Sequence, residues 1–208
     1  MERYEYKFNE QHLVYMKEQI WEAESNIDIY GDLSVHEFEQ IESYIGNPKT
    51  VLEVGCGLGR GSIFLNHLLN DDTVEYNLAD RTGYTENTGA YMPAQDEFYN
   101  DLELTADFCK LNGIKNVKTF DTEKDDWFQL PKADLIFSLC SFGMHVSIDR
   151  YMDRLLSVSH STTTMIFGVR TGSVTEENKS KFAESLYIPG KNKSKLPQEN
   201  WLILKNPK

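Results

Sequence analysis

The chain has 208 residues, of which 40% are hydrophobic and 12% aromatic, enough for one domain with a substantial core and too few for two. Its 21 basic and 33 acidic residues give a formal charge of -12 with no long basic run, so a nucleic-acid partner would have to approach against the field. No apolar stretch approaches the ~20 residues that span a bilayer and the N-terminus has no secretory h-region, so the expectation is a cytoplasmic chain with no membrane partner. Cys56, Cys109 and Cys140 lie far apart, which suits neither a disulfide framework nor a Cys-x-x-Cys metal site, and they read as reduced, mostly buried thiols.

The first elements are helical. Leu13, Met16 and Ile20 recur at helical spacing between residues 9 and 24, and Val35, Phe38, Ile41 and Ile45 repeat the pattern after Ser34. Ser34 with Glu37 three residues later predicts a capping box at the start of the second helix. Residues 1–46 are therefore expected to form a helical cap on a compact unit whose main domain runs over 47–208.

From Thr50 the pattern alternates. Strands are expected over 50–54, 74–79, 116–120, 133–139 and 163–169, and helices over 60–69, 101–111, 148–157 and 175–185. Two last strands, near 186–189 and 201–205, are split by the polar segment 190–200. This rhythm predicts a doubly wound α/β sheet, mainly parallel, with an antiparallel ending. The connection 81–100 is far longer than the few residues usual between a strand and a helix, which predicts an insertion with a role of its own.

Residues 51 to 59, Val-Leu-Glu-Val-Gly-Cys-Gly-Leu-Gly, carry the strongest functional signal. An apolar strand ends in glycines at alternate positions and a helix follows, so the backbone can turn tightly and approach a ligand beneath the unpaired N–H groups of the helix. The spacing decides among nucleotides. A dinucleotide fingerprint counted from Gly55 and Gly57 needs glycine at 60, where this chain has Arg60, and counted from Gly57 and Gly59 it needs glycine at 62, which is Ser62. A phosphate loop fails as well, since no Gly-Lys-Ser or Gly-Lys-Thr triplet occurs.

What remains, Glu53-x-Gly55-x-Gly57-x-Gly59, resembles the first motif of the class I S-adenosylmethionine-dependent methyltransferases, and the resemblance extends over residues 48–205. It implies a Rossmann-like seven-stranded sheet with an antiparallel C-terminal strand, S-adenosylmethionine as cofactor and S-adenosylhomocysteine as product. The family pattern points to cofactor contacts at Glu53, Gly55, Cys56, Gly57, Gly59, Asp80 and Arg81, then Asp121, Thr122, Ser138 and Leu139.

Three of these assignments have a physical basis in the sequence. Asp80, ending the second strand 21 positions after Gly59, suits the two ribose hydroxyls; the competing reading is a turn cap. Asp121, or Thr122 beside it, would meet the adenine amino group, although Glu123, Asp125 and Asp126 would look the same in a solvated acidic loop. Trp127 and Phe128 cover the adenine edge or belong to the core. The backbone of Ser138 and Leu139, at the carboxyl end of the central strand, would receive the methionine ammonium.

The segment that follows, Ser141-Phe142-Gly143-Met144-His145, is similar to one in a subgroup of sugar O-methyltransferases, with Met144 replacing an aromatic residue. His145 is the candidate general base for transfer to a hydroxyl, the alternative being a residue that only orients the loop. Tyr84 and Tyr91 in the insertion, with Ser141 and Tyr151, are candidate acceptor contacts; the insertion's aromatics would equally suit burial at the sheet edge. No metal-ligand spacing stands out, so the expected reaction is metal-independent, on a small-molecule acceptor, by a monomer or homodimer. Two other readings stay open: a noncatalytic cofactor-binding protein on the same fold, and an NAD-type oxidoreductase, disfavoured by Arg60 and the antiparallel ending.

Overall fold

The computed structural model describes residues 1–19, 27–84, 98–139, 141, 147–169, 174–190 and 200–208. Helices α1 (Glu10–Gln19) and α2 (Ile27–Ile45) precede β1 (Thr50–Val54) and α3 (Arg60–Leu69), which follow the expected bounds. β2 (Glu75–Asp80), a short pair β3 (Gly83–Tyr84) and β4 (Phe98–Asn100), α4 (Leu102–Leu111) and β5 (Asn116–Asp121) come next. Then follow β6 (Ala133–Ser138), α5 (Met152–Ser157), β7 (Ser159–Val169), α6 (Glu176–Lys179), β8 (Phe182–Pro189) and β9 (Asn200–Pro207). Single 3-10 turns stand at Trp127–Gln129 and Ile148–Tyr151, the latter supplying the first half of the helix expected over 148–157.

Seven strands form one sheet in the order β5-β2-β1-β6-β7-β9-β8. The first five run parallel, and β9 pairs antiparallel with both β7 and β8. The strand order reverses between β1 and β6, so a crevice opens where their carboxyl ends diverge. β1 shows how the sheet is held from both sides: Val51 joins the core beneath α1–α4, while Leu52 and Val54 join the core on the opposite face with α5. All three are almost fully buried, which contributes roughly 1.5–3 kcal/mol for each side chain.

Three expectations are corrected. Ser34 caps nothing: α2 begins at Ile27, and Ser34, inside it, donates from Oγ to the Tyr30 carbonyl at 2.9 Å. A Ser-x-x-Glu pattern in mid-helix cannot be told from a capping box by spacing alone. The helix expected over 175–185 stops at Lys179, because Phe182–Pro189 gains a full antiparallel ladder with β9, and pairing outweighs local helix preference. β7 begins at Ser159 rather than 163, its register on β6 shifting between Ala133 and Leu135.

The N-terminal helices are fastened to the start of α3. Arg60 Nη1 lies 2.6 Å from Glu37 Oε2 of α2 and donates to Ser34 Oγ at 3.0 Å, and its guanidinium sits 5.7 Å from the Tyr30 ring centre. Tyr6 donates from its hydroxyl to the Arg60 carbonyl at 3.0 Å. Glu37 is 1% exposed, so its loss withdraws a buried counter-charge from a largely buried guanidinium. Glu37→Ala is therefore expected to destabilise the fold by about 3 kcal/mol in urea denaturation, whereas an effect below about 0.5 kcal/mol would show the pair to be incidental.

Candidate functional site

The site grows from the turn after β1. Gly55, Gly57 and Gly59 have φ of 68°, 52° and 81°, a left-handed path that only glycine follows without strain. At Gly59 the need is also spatial: a Cβ there would stand 2.6 Å from Leu78 Cδ2 and 2.7 Å from Cys109 Sγ. At Gly55 it would overlap Ser141, so Ser141 rests directly on the loop. Gly57 differs, since among the described residues the direction of its absent side chain holds only the Tyr15 hydroxyl, 3.6 Å from the Cβ position.

The peptide groups of Gly57 are held from two sides. Its N–H donates to Asp80 Oδ2 at 2.8 Å. Its carbonyl accepts from Thr105 Oγ1 of α4 at 2.6 Å and from Asn100 Nδ2 of β4 at 3.4 Å. Asp80 Oδ1 accepts from the Arg81 N–H at 2.7 Å, and the Asp80 carbonyl from the Thr122 N–H at 2.8 Å. Asp80 and Asp121 are register partners at the ends of β2 and β5, which puts both acids on one edge of the crevice. Gly59 gives α3 no side-chain cap, and the Ser62 N–H of its first turn is taken instead by the Glu53 carboxylate.

Glu53 braces this loop from below. Its Oε2 accepts from the Ser62 N–H at 2.9 Å and from Ser62 Oγ at 2.7 Å, joining β1 to the first turn of α3. Burial pushes its carboxyl up to about 7, although the Ser62 bonds and Arg60 pull the other way. Burial likewise pushes Asp80 up to about 6 against the Gly57 and Arg81 amides. At Asp121 partial burial also raises the value, but Lys124 at 2.9 Å and the Glu123 amide hold it below the usual carboxylate range. The Cys56 and Cys109 thiols are buried and free, and burial pushes both well above the ordinary thiol value.

The remaining sequence candidates divide. Ser138 and Leu139 are buried at the end of β6, with the Leu139 carbonyl packed against Gly168 of β7. Arg81 points toward Glu123, Nη1 to Oε1 3.6 Å. Tyr151 packs on Trp127, ring centres 5.8 Å apart, with Arg154 5.4 Å from its own ring centre. Trp127 is 4% exposed and part of the core, while Phe128 is 70% exposed. Tyr84 lies in β3, whose pairing with β4 closes the base of the 81–100 insertion; its side chain, Tyr91, Cys140 and His145 lie outside what is described. Sequence reasoning missed Tyr15, Asn100 and Thr105, of which only Asn100 left a trace, standing just before the Asp101 cap of α4.

No family model matches the chain, and no curated protein matches it. Solved structures do. A candidate O-methyltransferase from Nostoc punctiforme PCC 73102 superposes with a TM-score of 0.56 at 11% identity, over 94% of this chain and 61% of its own. The SAH-bound Podospora anserina methyltransferase PaMTH1 gives 0.51 at 10% identity, over 95% and 87%. The M. jannaschii tRNA m1G37 methyltransferase gives 0.52 at 15% identity, over 86% and 49%. The chain thus spans about three fifths of the first of these proteins and half of the last.

Both raised carboxyls shape the pH response of the ligand-free protein. Between its ordinary 4.5 and about 7, Glu53 keeps a proton in the folded state that the unfolded chain releases. Its contribution to stability is thus complete below 4.5 and lost as pH rises through about 7; Asp80 behaves alike between 3.8 and about 6. Glu53→Gln should flatten the decline of unfolding free energy between pH 5 and 7, measured by urea titration, and an unchanged slope would contradict the assignment. Sheet order, the antiparallel β9 and the glycine turn together give this chain the Rossmann-like fold of the class I methyltransferases.

Proposed function

We propose that the chain is an S-adenosylmethionine-dependent methyltransferase that methylates a hydroxyl of a small, sugar-like acceptor. The observation that carries the reading is Gly57: among the described residues only Tyr15 lies within 4 Å of its missing side chain, and its N–H is bound by the buried carboxylate of Asp80, at the point where the sheet reverses. The residues present fit such a cofactor. Each Asp80 oxygen accepts one backbone N–H in the ligand-free protein and keeps a further lone pair, which suits two ribose hydroxyls. Asp121 and Thr122, one strand further out, would meet the adenine amino group. The backbone of Ser138 and Leu139, at the carboxyl end of β6, would suit the methionine ammonium. That the Podospora protein was obtained SAH-bound supports the same choice of cofactor.

S-adenosylmethionine supplies a methyl group on a positively charged sulfur. His145 would take the acceptor's hydroxyl proton, while the bound cofactor would supply the methyl group to that oxygen and leave as neutral S-adenosylhomocysteine. The rest of the rate comes from holding the two reactants in line, between the segment after β6, the insertion at 81–100 and the N-terminal helices. A small neutral acceptor is favoured over RNA by the charge of -12, even though a tRNA methyltransferase shares the fold.

Methyl transfer from labelled S-adenosylmethionine to panels of sugars, nucleotide sugars and bulk RNA tests the reading. Label in a sugar fraction supports it, and label in RNA alone overturns the acceptor class. Asp80→Ala should weaken cofactor binding at least tenfold. His145→Ala should bind normally and turn over about a hundredfold more slowly, whereas equal loss of binding and turnover would remove His145 as base. Because Asp80 must be ionised to accept both hydroxyls, affinity should fall as pH drops below about 6, and a flat profile from pH 8 to 5 would contradict its role.

A further inference from the structure

Glycine permits the turn after β1 but does not enforce it. A residue without Cβ visits positive and negative φ about equally, so at Gly57, with φ of 52°, neighbouring groups have to impose the left-handed path. They do so from both sides of its Cα. Asp80 Oδ2 holds the N–H at 2.8 Å, while Thr105 Oγ1 at 2.6 Å and Asn100 Nδ2 at 3.4 Å hold the carbonyl. Thr105 makes the shorter of the two carbonyl bonds. A threonine inside a helix ordinarily turns its hydroxyl back on the carbonyl four residues earlier, and that partner, Asp101, lies 3.0 Å away. The shorter bond leaves the helix instead and reaches Gly57. Thr105 is fully buried, and its Cγ2 lies 3.6 Å from where a Cβ on Gly59 would stand, so hydroxyl and methyl serve different glycines. Asn100 is fixed in turn, its Oδ1 accepting the Asp101 N–H at 2.9 Å while its Nδ2 faces Gly57.

We infer that Thr105 is a positioning residue: by fixing the Gly57 carbonyl it keeps the Gly57 N–H on Asp80, and so sets the Asp80 carboxylate for the ribose hydroxyls of the cofactor. The inference rests on the methyltransferase reading and extends it to α4, which touches the ligand nowhere in this account. Without the Thr105 bond the glycine regains its rotational freedom, because Asn100 alone holds the carbonyl at 3.4 Å. The N–H then leaves Asp80 for part of the time, and the carboxylate loses one of the two amides that orient it. The loss falls on the nucleoside end of the ligand, where Asp80 acts.

Two substitutions separate the hydroxyl from the methyl: Thr105→Val keeps the shape and removes the bond, and Thr105→Ser keeps the bond and removes the methyl. In calorimetric titration, Thr105→Val should bind S-adenosylhomocysteine and 5′-methylthioadenosine, which lacks the amino-acid end, about tenfold more weakly and by the same factor. Thr105→Ser should bind both within about threefold of the unaltered chain. Asn100→Ala, which removes the longer bond to the same carbonyl, should weaken both by about two- to threefold. In an Asp80→Ala background Thr105→Val should cost less than about twofold more, because the group it acts through is gone. Unchanged affinity in Thr105→Val, an equal loss in Thr105→Ser, a loss confined to S-adenosylhomocysteine, or an undiminished loss in the Asp80→Ala background each overturns the inference and leaves the cofactor class intact. Failure of the unaltered protein to bind either ligand overturns the methyltransferase reading itself, and this inference with it.

Discussion

The turn after β1 depends on one residue, Gly57, being gripped at both its N–H and its carbonyl. The backbone of Gly57 is fixed by a carboxylate on its N–H and by two side-chain donors on its carbonyl, drawn from β2, α4 and β4. β4 and α4 follow one another in the chain, both well after β1, while β2 reaches the loop because the parallel sheet brings the carboxyl ends of β1 and β2 together. A tight left-handed turn exposes polar groups that would otherwise cost free energy in a buried setting. Here they are satisfied by Asp80, Thr105 and Asn100, and among the described residues only the Tyr15 hydroxyl lies within 4 Å of the Gly57 side-chain direction.

The same constraint explains the acids around the loop. Glu53 and Asp80 are buried in order to grip amides, and burial raises both carboxyls toward neutrality. Glu53, bound to Ser62 and close to Arg60 and Glu37, makes the start of α3 a junction between sheet and N-terminal helices. Arg60 stands where a dinucleotide fold would require its third glycine, and its side chain is used to anchor α2. The departure from the dinucleotide fingerprint thus has a structural reason: in this position a side chain holds a helical cap.

How much of this was legible follows from the range of the interactions involved. β1 and α3 were readable to the residue, since a buried parallel strand, left-handed glycines and a helix start each leave a local mark. Asp80 was readable because the end of β2 is set by that same sheet geometry. Only the second half of β8 was, as the strand expected near 186–189; its first half, from Phe182, read as the end of a helix because it becomes strand only through its pairing with β9. Ser34 misled because its pattern is the same in the middle of a helix as at its start. Tyr15 left no sign beyond a helical stretch, as its approach to Gly57 is wholly tertiary. Glu53 matched the motif, yet its role as a brace to Ser62 needed the packing of α3 to be seen.

The central claim is that the open face of Gly57 beside Asp80 receives a sulfur nucleoside. Calorimetric titration of the unaltered protein with S-adenosylmethionine, S-adenosylhomocysteine and NAD addresses it directly. The account predicts saturable one-site binding of the two sulfur nucleosides and none of NAD. Binding of NAD alone, or of none of the three, would contradict it.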